Sequence, residues 1–144
     1  MRAFAELFMA IDQTTKTTVK TEALARYFET APDDDRLWTI ALFSGRRPKR
    51  AVNTTQLREW AAERAGLPLW LVEESYPIVG DLAETIALIL PPPTEVAEPS
   101  LSSLLEELLT LPRRDIEDRK ARILAQWDRL DETGRFLSNK LIKT

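Results

Sequence analysis

The chain has 144 residues, with 20 Lys and Arg against 23 Asp and Glu, for a net charge of −3. That length fits one domain, or one domain with a hinged subdomain, and is enough to bury a real core. With no Cys and no His, it excludes disulfides, thiolate chemistry, zinc–thiolate sites and the commonest general base.

The slightly negative total means that the chain as a whole does not attract DNA, so any nucleic-acid surface must come from uneven placement of charge. Lack of Cys fits a reducing compartment. The opening, Met1 to Glu6, is amphipathic and acidic, unlike a signal peptide, and no apolar run is long enough to cross a membrane.

Only four glycines and many long straight-chain residues favour helix. Phe4, Leu7, Phe8 and Ile11 predict a first helix to about Asp12, followed by a Thr-rich break. Val19, Ala23, Leu24, Tyr27 and Phe28 define a second helix that must stop before Pro32. Asp33, Asp34 and Asp35 suit the positive end of a third, with Leu37, Trp38, Ala41 and Leu42 as its apolar face and Gly45 as its stop. Asn53 and Gln56 read as a capping pair for a helix through Leu57, Trp60 and Ala61, stopped by Gly66. Pro68 suits the first turn of a helix with Trp70, Leu71 and Tyr76, which Pro77 should kink or end. Leu82, Ile86, Ile89 and Leu90 continue helically.

Residues 91–99 form a proline-rich, acidic linker that should be extended and semi-rigid. Beyond it, Ser103 with Glu106 reads as a capping box before Leu104, Leu105, Leu108 and Leu109. A helix from about Arg114 carries Ile116, Ile123, Leu124, Trp127 and Leu130, and a last one carries Phe136, Leu137 and Leu141. The four tryptophans, Trp38, Trp60, Trp70 and Trp127, are expected as core anchors. The expected fold is an all-α, irregular multi-helix bundle of about seven to nine helices. It has a first bundle over 1–90, the linker over 91–99 and a second helical part over 100–144.

Three features could carry function. Arg46, Arg47, Lys49 and Arg50 surround Pro48 in a basic loop suited to phosphates; a solvated helix-to-helix turn explains it equally well. Gly80 precedes a helix start and could expose N–H groups to an anion, although Asp81 with Glu84 also makes an ordinary cap. Arg135, Asn139 and Lys143 share a helical face by their four-residue spacing. That face could meet a phosphate backbone or simply be solvated. No Walker-type loop and no paired-histidine metal motif is present.

The sequence resembles the N-terminal domain of bacterial ATP-dependent DNA ligases, especially the group encoded beside a helicase, a nuclease and a phosphoesterase. The resemblance rests on Phe4-Ala5-Glu6-Leu7-Phe8, on Gly45 to Arg50, on Glu74-Ser75-Tyr76 through Val79 to Thr85, and on Phe136-Leu137-Ser138-Asn139-Lys140-Leu141. These stretches keep the family's order over nearly the whole chain.

The resemblance implies an all-α domain that grips duplex DNA across the minor groove around a nick, without reading sequence, in repair, replication or recombination. It implies a DNA-binding set of Arg46, Arg47, Lys49, Arg50, Gly80, Arg135, Asn139, Lys140 and Lys143. The expected partners are nicked duplex DNA and the adenylation and OB-fold domains of a full-length protein. The protein is expected to be monomeric, free of membrane, cytoplasmic and nucleoid-associated. ATP and Mg belong to the full-length enzyme, with no cofactor expected in this chain. No lysine here is followed by Asp-Gly at the family's adenylation spacing, and the basic arm after the closing helix is missing, so a truncated, inactive form is expected. The rival reading is a helical protein–protein scaffold with no DNA role. Incubation with labelled ATP and a denaturing gel should show no covalent label; a stable lysine–AMP adduct would overturn this expectation.

Overall fold

Polar and glycine punctuation sets several of the helix ends. Gln56 N–H donates to Asn53 Oδ1 at 2.8 Å and Asn53 N–H donates to Gln56 Oε1 at 3.3 Å, which completes the expected reciprocal cap. Gly45 stands at φ +93°, a conformation that costs glycine little, and this lets Arg46 N–H close onto Ala41 O at 3.0 Å. The computed structural model describes residues 1–46, 48–95 and 97–143, except for the side chain of Lys143. Among the described residues it contains nine α-helices, one 3-10 turn and no strand. In chain order they are α1 (Arg2–Asp12), α2 (Thr17–Thr30), α3 (Asp33–Phe43), α4 (Thr54–Ala65), α5 (Leu69–Val79), α6 (Leu82–Ile89), α7 (Leu101–Thr110), the turn Leu111–Arg113, α8 (Ile116–Arg129) and α9 (Glu132–Lys143). The all-α expectation holds.

Three local expectations are corrected. First, α7 starts at Leu101, capped by Ser100, whose Oγ accepts Ser103 N–H at 3.2 Å. Leu101 is fully buried, so the apolar stripe begins a turn earlier than the Ser103–Glu106 reading placed it. Second, Pro77 does not end α5, which runs on to Val79. It lies in the last turn, where the missing N–H removes a single ladder bond. Third, Trp70 and Leu37 face outward, 60% and 67% exposed, while Trp127 and Trp60 are buried. The apolar residues of α3 and α5 fall in consecutive runs, such as Ile40 to Phe43 and Leu69 to Val72, which reach more than one face, so their pattern could not choose the buried one.

One hydrophobic core crosses the linker. It joins Phe4, Leu57, Leu82 and Ile86 to Leu101, Leu105, Ile123, Trp127, Leu137 and Leu141. Phe4 meets Tyr27 of α2 edge-on at 6.1 Å, and Phe8 meets Phe136 of α9 at 6.3 Å. The linker lies against the end of α8. Glu95 N–H donates to Asp128 O at 3.2 Å and Ala97 N–H to Arg129 O at 3.1 Å. Those carbonyls have no intrahelical donor, so the linker supplies what the helix end lacks.

A further tie joins α3 to α7. Asp35 is 5% exposed, and its Oδ1 accepts the N–H of Ser102, in the first turn of α7, at 3.0 Å. This carboxylate thus serves the dipole of a helix other than its own. Asp35→Ala should cost about 1–2 kcal/mol in urea unfolding, the usual loss for a cap whose amide is left bare. Asp35→Asn, which keeps an acceptor, should cost less. Unchanged midpoints for both would show that the carboxylate does not cap α7.

Candidate nucleic-acid interface

The basic loop is held from inside. Pro48, Ala51 and Val52 are buried, while Arg46, Lys49 and Arg50 are exposed. No described ion pair engages these three cations. Arg47 lies outside the described residues. Arg119 of α8 ties the base of the loop to the turn before α8, with one bond to the loop and two to that turn. Its Nη1 donates to Ala51 O at 2.8 Å, Nη2 to Pro112 O at 2.9 Å and Nε to Arg114 O at 2.8 Å. Arg50 Nε adds a bond to Val52 O at 3.3 Å. Sequence reasoning missed Arg119, yet a trace was present. Arg119 falls on the same four-residue stripe as Ile123 and Trp127, where a guanidinium must find internal acceptors.

Gly80 is exposed at φ +86°, which favours glycine over any residue with a Cβ. Its own N–H is not available to a ligand, because it donates to Tyr76 O at 2.7 Å. Asp81 caps α6, its Oδ1 accepting Glu84 N–H at 2.9 Å. The amides of Leu82 and Ala83 lie in the first turn, where a helix offers no internal acceptor. Lys140 of α9 forms an ion pair with the Asp81 carboxylate and stands 5.4 Å over the Phe136 ring.

The expected solvated face of Arg135, Asn139 and Lys143 is corrected for the first two. α9 is enclosed on most sides, and Arg135 and Asn139 are 3% and 0% exposed. Arg135 Nε donates to Trp127 O at 2.7 Å. Burial pulls this guanidinium below its ordinary value, partly offset by the carboxylates of Asp128 and Asp131. Asn139 Oδ1 accepts the indole N–H of Trp127 at 2.8 Å, and its Nδ2 donates to Ala83 O at 3.3 Å. Ser138 donates to Gln126 Oε1 at 2.9 Å. A helix buried this fully needs internal partners for each polar side chain, and spacing alone does not separate that case from a wet face. The Lys143 side chain lies outside what is described.

Charge is segregated along the chain. Between Arg64 and Arg113 there is no Lys or Arg, while eight Asp and Glu occur, among them Glu73, Glu74, Asp81 and Glu84. Setting those eight aside from the total of −3 leaves a net +5 on the rest. The Gly80 turn therefore lies in an acidic stretch, and Lys140 brings a cation to it from α9.

Residues 1–137 match the family model for the DNA ligase N terminus, and the chain belongs to that family. Among curated proteins, none matches the chain. No described helix is long and apolar enough to cross a membrane.

Arg119→Ala should loosen the basic loop without unfolding the domain. Limited trypsin digestion should then cut faster after Lys49 and Arg50, since braced backbone resists the local opening that cleavage needs. Equal cleavage rates in the variant and the parent would show that Arg119 does not hold the loop.

Proposed function

We propose that this chain binds duplex DNA without sequence preference, across the minor groove around a nick, as the DNA-binding domain of an ATP-dependent DNA ligase acting in repair, replication or recombination. The observation that carries the reading is the basic loop of a DNA ligase N-terminal family member, with Arg46, Lys49 and Arg50 exposed on a buried base. A braced loop loses little freedom on binding, so its charge converts more fully into affinity. The first turn of α6 with Lys140, and Lys143 beyond it, extends the phosphate footprint. Arg135 and Asn139 contribute by holding that footprint, not by touching DNA. ATP, Mg and the adenylated lysine belong to an adenylation domain, which with an OB-fold domain would close around the DNA held here. The cytoplasm, at the nucleoid, is the place where such a monomer would work.

The scaffold reading has one observation in its favour. Trp70 and Ile78 project from α5 at 60% and 87% exposure, beside Glu73 and Glu74. Binding to nicked duplex with a clear salt dependence separates the two readings, because a pure scaffold should show almost none.

Replacing Arg46, Arg47, Lys49 and Arg50 together by Ala should weaken binding to all duplex sequences alike. The slope of log K against log salt should flatten by about 0.9 for each phosphate that the loop no longer neutralises. Thermal stability should barely move, since exposed charges contribute little. Normal binding with an unchanged slope would remove this loop from the DNA-binding surface.

A further inference from the structure

Asn139 sits at the junction of three helices. From α9 it accepts the indole N–H of Trp127 in α8 and donates to the carbonyl of Ala83 in the first turn of α6. Both Asn139 and Trp127 are fully buried. The next residue of α9, Lys140, engages Asp81, the cap of the same α6 start. Two consecutive residues of α9 thus take hold of the beginning of α6, one through a carbonyl and one through a carboxylate. A lone hydrogen bond of this kind could be only a way of satisfying a buried indole. Here the second arm of the same amide ends on the backbone that follows the Gly80 turn.

We infer that Asn139 is a positioning residue for DNA binding: its side-chain amide ties Trp127 to Ala83 and so fixes the direction in which the Gly80 turn and the first amides of α6 point. This rests on the reading that the α6 start faces the DNA. The asymmetry of the amide makes the two arms separable. Asn139→Asp keeps an acceptor for the indole and loses the donor to Ala83. Trp127→Phe keeps an aromatic ring in the core and loses the donor to Asn139. Trp127 is 0% exposed and cannot reach DNA, so any effect of its substitution on binding must travel through the protein.

The test uses the whole chain, backbone amide NMR without DNA, and titration with a nicked duplex of mixed sequence, at a temperature where circular dichroism shows each variant folded. Leu105→Ala, in the α7 part of the core, is the control for general loss of stability. In Asn139→Asp and Trp127→Phe, the amide resonances of Gly80, Leu82 and Ala83 should shift. Both should weaken duplex binding roughly fivefold with the salt slope unchanged, since no cation is removed. Leu105→Ala should lower the melting temperature while leaving those amides and the affinity in place. A folded Trp127→Phe variant with unmoved amides and parental affinity would overturn the inference. So would an affinity loss confined to Asn139→Asp, which would trace the effect to the added carboxylate and not to the tie with Trp127. If the parent chain does not bind nicked duplex, the proposed function falls, and the DNA-free amide shifts alone decide whether Asn139 positions the turn.

Discussion

An indole N–H cannot be left bare in a dry interior, and the packing of the last helices of this protein is arranged around that constraint. Trp127 is completely enclosed, and Asn139 is the acceptor that makes this tolerable. Without it, the buried donor would cost about 1–3 kcal/mol, a large share of what a domain of this size retains. The same tryptophan lends its backbone carbonyl to Arg135, so one residue of α8 receives two polar side chains of α9. The consequence is geometric: α6, α8 and α9 accept a single mutual arrangement, because a hydrogen-bonded junction tolerates less sliding than an apolar one.

Cations fall into three kinds here. Arg64 with Asp128, Lys120 with Glu63 and Arg2 with Asp131 are partly or well exposed pairs, each worth little by itself. Arg119 is different, with three carbonyls meeting its guanidinium in a fixed fork. Arg46, Lys49 and Arg50 are different again, since no described carboxylate pairs with them. A net-negative chain can still carry a local cationic loop, because cations paired with carboxylates cancel in place while Arg46, Lys49 and Arg50 are exposed with no described carboxylate partner.

Much of the fold was legible because its punctuation is strong. Asn53 with Gln56, Gly45, Gly66 and the Asp33–Asp35 run mark helix ends by chemistry that tertiary packing does not override. Legibility failed where apolar residues run consecutively around a helix, as in α3 and α5, and where a polar stripe faces inward, as in α9. Arg135 and Asn139 have the spacing of a wet face, and nothing local says that Leu137, Ser138, Leu141 and Ile142 would all be enclosed with them. Long-range ties such as Asp35 to Ser102 were out of reach, since they depend on which helices meet. For the candidate site, the basic loop could be read directly, but not the brace beneath it.

The junction also has a consequence for the order in which this protein is made. α9 is the last of the nine described helices, yet its partners are α1 and α6 far earlier in the chain and α8 just before it. While a ribosome is still extending α8, Trp127 has no Asn139, and the faces of Phe8, Leu82 and Ile86 lack the helix that will cover them. Those faces stay uncovered until α9 has emerged, so the part of the core that α9 shares with them can close only at that point.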